Sequence, residues 1–259
     1  MRARRIFPPT TALQATTWRP TRAICLPSCL AHNTDFLSDA DRLTLLRDLN
    51  MLAEAGDVKE SRALEAAQAF AAAPERHVSG QARTIVDSAS RLLPDDLQAN
   101  YARFVRRLFG AQAAALGWSA KPADDAETRL LRTAVVPFVA RRGDDTALLA
   151  EARRLADGWL RDRKGVDPDM LRFVLSTAAW AGGQDFFDTL LRELKKTEDL
   201  QQRQVMIGAL GSFRNPQIAR QSLDLMLASD LDVKEGQGVF FGPLGNRETE
   251  SSGIHESRG

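Results

Sequence analysis

Apolar residues recur every three or four positions through most of the chain, and almost no stretch alternates with period two. From 37 to 58 this pattern predicts a helix with both ends marked. Leu45, Leu49 and Leu52 share one face, which Leu46 and Ala53 widen. Ser38 followed three residues later by Asp41 makes a capping box, and Asp39 and Asp41 place negative charge where the helix dipole favours it. Gly56 suits the position just past the end, where a left-handed backbone costs least. A second helix is predicted over 59–72, with Leu64, Ala67 and Phe70 inward and Pro74 closing it. A third covers 78–93, carrying Ala82, Ile85, Ala89 and Leu92 on one stripe before Pro94. Asp95 is expected to cap a longer fourth helix, whose face holds Leu97, Tyr101, Phe104, Leu108 and Phe109 and which Gly117-Trp118 ends.

Beyond a polar connector at 119–124 the same period resumes. The fifth helix, 125–142, has Leu131, Val135, Phe138 and Val139 inward, with a kink or early break expected at Pro137. Gly143 ends it, and Asp144 opens a sixth with Leu148, Ala152, Leu155 and Trp159 in line. Asp167-Pro168 is a cap followed by proline at the first helical position, a start signal that Asn215-Pro216 repeats. Between them lie a seventh helix with Leu171, Val174, Leu175 and Ala178, an eighth over 184–196 with Phe187, Leu190, Leu191 and Leu194, and a ninth over 200–210. Helix starts are thus spaced by about fifteen to twenty residues, which paired gives the period of stacked α-hairpins. The fold class read from this is all-α, a HEAT/armadillo-like superhelical solenoid. A plain helical bundle is the competing architecture. From Ser229 the pattern fails, because Gly236, Gly238, Gly242, Pro243 and Gly245 would interrupt any helix.

Composition changes the picture mainly at the ends. Residues 1–34 hold five arginines, four prolines and no acidic residue, as a transit peptide or an out-of-frame leader would. Three segments are therefore expected: a leader at 1–34, a helical domain over 35–250, and a small polar tail at 251–259. With 35 Lys and Arg against 34 Asp and Glu, there is no basic excess, which argues against a dedicated nucleic-acid binder. No apolar run approaches the roughly 20 residues that span a bilayer. A soluble chain is expected, with the cytoplasm favoured.

Catalytic patterns are sparse. Cys25 and Cys29 alone are too few ligands for a closed zinc site, and His32, His77 and His255 have no partner at metal-binding spacing. His255-Glu256 starts an H-E-x-x-H pattern, but position 259 is Gly259. Asp124-Asp125 and Asp144-Asp145 each precede a helix, where capping is the simpler role than magnesium binding. There is no phosphate-binding glycine loop and no nucleophile elbow. Arg106-Arg107, Arg141-Arg142, Arg153-Arg154 and Lys195-Lys196 read as solvated cations that offset helix dipoles. No catalytic residue can be named.

A resemblance adds to this reading. An acidic residue before Asp41-Arg42-Leu43, then Leu46-x-Asp48 and Leu52-Ala53-x-Ala55-Gly56, resembles the opening of the helical C-terminal domain of the aminopeptidase N family of zinc metallopeptidases. Further stretches resemble the same domain in the same order. They are Leu116-Gly117-Trp118 with Asp124-Asp125 and Arg129-x-x-Arg132, Trp159-Leu160 with Val166-Asp167-Pro168-Asp169, Ala209-Leu210-Gly211-x-Phe213 with Asn215-Pro216, and Val239 to Arg247. The resemblance implies a substrate-enclosing domain, truncated and lacking the catalytic domain that carries H-E-x-x-H and its zinc. It implies no activity for this chain alone, no cofactor within it, and as partners a peptide substrate and the missing catalytic domain. A peptide carboxylate held there would suit Arg247, with Arg172 and Tyr101 behind it. Apolar surface bared by missing domains would favour self-association. The alternative is a stand-alone HEAT-like scaffold that binds a protein or peptide partner on its concave face.

Overall fold

The computed structural model describes residues 37–91 and 93–227. Among them are ten α-helices and no strand. They are α1 (Asp39–Glu54), α2 (Glu60–Phe70), α3 (Arg76–Ala89), α4 (Gln98–Leu116), α5 (Ala126–Arg142), α6 (Thr146–Asp162), α7 (Pro168–Ala181), α8 (Gln184–Lys196), α9 (Leu200–Leu210) and α10 (Pro216–Leu227).

Short polar side chains start most of these helices. Ser38 accepts from the Asp41 backbone N–H at 3.3 Å while the Ser38 N–H donates to the Asp41 carboxylate at 3.2 Å, closing the expected box. Asp125, Asp145, Asp167, Asp199 and Asn215 each take a backbone N–H of the turn they precede. Those donors would otherwise be orphaned at a helix start. Capping is therefore what Asp125 and Asp145 do.

Three expectations need correction. Asp95 opens a single 3-10 turn, Asp95–Leu97, ahead of α4, and Leu97 on that turn is 38 % exposed instead of inward. Val105 takes the place on the buried face of α4 that Leu97 was expected to share. No break occurs at Pro137: α5 continues to Arg142. Proline removes one backbone bond and costs about 3 kcal/mol in a helix interior. Here the following turn is held by burial, since Phe138, Val139 and Ala140 are all in the core. Leu92 and everything from 228 onward lie outside the described residues.

The packing order decides between bundle and solenoid. Chain neighbours pack as hairpins, α2 on α3, α4 on α5, α6 on α7 and α8 on α9. In addition α1 packs on α3, α3 on α5, α5 on α7, and α7 on α9. The odd helices thus form one continuous layer, and no contact of comparable extent joins α2, α4, α6 and α8 to one another. A bundle would close its last helices back on its first; this chain advances along an axis, as a solenoid does. The odd helices pack on one another and the even ones do not to that extent, so the odd layer is the tighter of the two, and a solenoid of unequal layers curves towards its tighter side.

Interlayer polar ties fix the stack. The buried Trp118 donates its Nε1–H to the Leu148 carbonyl at 3.1 Å, joining the end of α4 to α6. Arg132, only 1 % exposed, donates to the Leu116 carbonyl at 3.2 Å and to the Asp124 carboxylate at 2.5 Å. Phe109 and Phe138 meet edge to face at 5.6 Å across α4 and α5. Ser222 donates to the Leu210 carbonyl at 2.7 Å, holding α10 to the end of α9.

Candidate functional site on the concave face

Two cavities open along the odd layer. The first, about 450 Å³, lies among α3, α5 and α7 and is lined by Arg83, Asp87, Phe138, Arg141, Phe173 and Trp180 among others. The second, about 500 Å³, lies between α7 and α9, where Arg141, Arg172, Phe173 and Val205 contribute. Every lining residue of both comes from α3, α5, α7, α9 or the turn after α9. Arg141 and Phe173 belong to both, so the two cavities are one trough interrupted by those side chains.

Helical periodicity puts these groups in rows. Thr133, Pro137 and Arg141 are four apart on α5, Phe173, Ser176 and Trp180 lie three and four apart on α7, and Gln204 and Gly208 follow suit on α9. Beside these rows the same helices bury Val136, Val174, Ala178 and Ile207 in the core.

The arginines of this face are held differently from those of the outer layer. On α6, Arg153 bonds Asp157 at 2.9 Å and Asp185 at 2.7 Å, and just past α6 Arg163 reaches Glu193 at 3.3 Å. On the concave side Arg83 lies over the Phe138 ring at 5.4 Å, Arg141 over Trp180 at 6.0 Å and Arg172 over Phe173 at 4.3 Å. None of these three makes an ion pair with a described residue. Asp87, the single acidic side chain lining either cavity, is bonded by Arg142 at 2.9 Å. Arg83 Nε and Trp180 Nε1 are buried donors with no hydrogen-bond partner among the described residues.

Burial has the expected electrostatic effect. It pushes the Arg141 guanidinium down to about 10, with the Arg142 charge adding to the fall and Asp87 opposing it. Burial likewise lowers Arg83, again against Asp87. The trough therefore presents desolvated positive charge and unspent N–H donors beside aromatic planes, which is chemistry suited to an anionic ligand.

Of the three residues proposed from sequence, Arg172 lies in this trough, exposed and stacked on Phe173. Tyr101 is 6 % exposed, and its hydroxyl donates to the Val86 carbonyl at 3.1 Å between α4 and α3. Burial raises that phenol, with Asp87 reinforcing the shift. The structure does not bring Tyr101 to the trough lining. Arg247 lies outside the described residues. Arg141 is a correction in the other direction. It was read as a solvated dipole partner, but it is half-buried at the centre of the trough. The signal available in the sequence was that Arg141 lies three residues after the inward Phe138, on the same side of the helix.

Among the described residues no group of three or more His, Cys, Asp or Glu side chains is arranged to hold a metal ion. None of the described helices is long and apolar enough to cross a membrane.

The fold is a stack of α-hairpins with arginines and aromatic rings along its odd layer, and comparison with known proteins defines it further. Residues 25–251 match the family described as the ERAP1-like C-terminal domain. The chain belongs to that family, within the aminopeptidase N group. It is 23% identical to Aminopeptidase 2 of Candida albicans, over 82% of this chain and 23% of that protein. It is 26% identical to Aminopeptidase M1-A of Oryza sativa subsp. japonica, over 79% of this chain and 24% of the relative. With the glutamyl aminopeptidase of Sus scrofa the identity is 26%, over 82% and 22% of the respective lengths. The chain thus spans about a quarter of the length of the curated relatives it matches.

Proposed function

We propose that this chain is the substrate-enclosing helical wall of a zinc aminopeptidase, which cups a peptide while a separate catalytic domain removes its N-terminal residue. The observation that carries this reading is the trough, a concave row of unpaired arginines and aromatic rings on a domain whose relatives are named aminopeptidases. An aminopeptidase needs its peptide's amino end at the metal, so the remainder of the peptide, including its carboxylate, is left for another surface to hold. Arginine suits that task because its planar fork can bind a carboxylate bidentately.

Zinc is assigned to the catalytic domain. In this chain His32, His77 and His255 are too far apart in sequence to form an H-E-x-x-H pair, and hydrolysis needs a metal-bound water with an open coordination position. The chain alone is expected to release no amino acid from aminoacyl-coumarin substrates, with zinc added or not. It is also expected to bind a fluorescent peptide in a manner sensitive to salt. Measurable release with zinc bound stoichiometrically would overturn the division of labour. Absence of any peptide binding by well-folded protein would overturn the role as a substrate wall.

A further inference from the structure

The trough has a charge pattern more specific than a single carboxylate site needs. Arg83, Arg141 and Arg172 come from successive inner helices, α3, α5 and α7, and each lies against an aromatic ring. Packed helices are about 8–10 Å apart, so the three guanidinium groups form a row spanning about 20 Å. Stacking holds a guanidinium flat while leaving its N–H edge free for a carboxylate. Along the row Asp87 is the sole acidic side chain, and Arg142 already occupies it. Leaving Arg83 and Arg141 half out of water without an ion-pair partner is costly, and a fitting anion relieves that cost. The two buried polar atoms of the lining without a hydrogen-bond partner, Arg83 Nε and Trp180 Nε1, are both donors, which favours an acceptor ligand over a cation.

We propose that the concave face is selective for acidic peptides, and that it docks an extended segment by two or more Asp or Glu side chains laid along the row from Arg83 through Arg141 to Arg172. A polyproline-II-like extended chain advances about 3.1 Å per residue and brings every third side chain back to the same face, so a step between neighbouring inner helices corresponds to about three residues. The intervening side chains would rest on Phe138, Trp180 and Phe173. This inference rests on the reading of the domain as a substrate wall and names the peptide class that the wall prefers.

The test is fluorescence anisotropy with the full chain and three labelled probes. The first is an alanine-based peptide with glutamate at every third position and an amidated C-terminus. The second replaces each glutamate by glutamine, and the third is that glutamine peptide with a free terminal carboxylate. The acidic amide should bind about tenfold or more tighter than the glutamine amide, and added salt should weaken it. Arg141→Gln and, separately, Arg83→Gln should each lose about tenfold in that affinity. Their far-UV circular dichroism should be unchanged and their melting temperatures no lower, which a purely structural arginine would not allow. Equal binding of the acidic and glutamine amides, or unchanged affinity in both variants, would overturn the proposal. If only the free carboxylate matters, the acidic preference fails while the substrate wall survives. If no probe binds, both fail.

Discussion

At the scale of single residues, the contrast between Arg132 and Arg141 is the most informative. Both are arginines on α5, nine positions apart, and both lose much of their water. Arg132 is fully engaged, with Leu116 and Asp124 taking its N–H groups, whereas Arg141 meets only a ring. The first is structural and the second is available for a ligand. Arg132→Met should therefore cost about 3 kcal/mol, because it leaves the Leu116 carbonyl without its side-chain donor and the Asp124 carboxylate with only the Lys121 backbone N–H. Urea unfolding measures this, and a variant as stable as the parent would refute the role. The same latch makes a pH prediction. The Lys121 backbone N–H, and then Arg132, hold the Asp124 carboxyl below its ordinary value of 3.8. A depressed carboxyl contributes stability above the unfolded value and loses it as pH falls through the folded value. The gap in melting temperature between parent and Asp124→Asn should thus persist down to about pH 4 and close below it. A gap that closed on raising the pH would have the wrong sign.

At the scale of elements, helix ends are held by two different devices, one local and one distant. N-termini use their own caps, such as Ser38 and Asp167, which are recognisable in the sequence because cap and capped turn are contiguous. The C-terminus of α5 is held by Arg106 of α4, which donates to the Gly143 and Asp144 carbonyls. Gly143 is needed there for space, since a Cβ would fall 2.4 Å from the Val139 carbonyl oxygen and 3.1 Å from Arg106 Cγ. Gly143→Ala should destabilise by about 1–3 kcal/mol, the usual range for overpacking. Its measure is the shift of the thermal midpoint, and an unchanged midpoint would show that the end of α5 can relax. Gly143 was foreseen as a helix stop. Its second duty was not, because nothing in the local pattern announces that Arg106, 37 residues earlier, passes over it.

At the scale of the whole molecule, α5 is the keystone of the described stack, packing on α3, α4, α6 and α7. In a solenoid each unit is supported only by its neighbours, so opening is expected to begin away from such a helix. Amides of α5 should exchange more slowly with deuterated water than those of α1 or α10, as read by mass spectrometry of peptic fragments. Uniform exchange across all helices would indicate a single cooperative bundle instead. The same arrangement explains why the cavities gather on the odd layer. The inner helices pack on one another, so side chains from several of them reach one trough, whereas Arg153 on the outer α6 pairs with nearby acids.

The all-α class, most helix limits and the inward faces of α3, α6, α7 and α8 were determined by the sequence alone. They depend on interactions within a few residues: the 3.6-residue apolar period, a cap next to the turn it caps, and proline at a first helical position. The family resemblance was legible for the same reason, since its motifs are short and contiguous. The tertiary structure alone decided that α5 runs unbroken through Pro137, that Tyr101 is spent on the Val86 carbonyl, and that Arg141 sits beside Trp180 instead of in water. Each of these is set by partners between 15 and about 40 residues away in the chain, and which of them meet depends on how the hairpins stack.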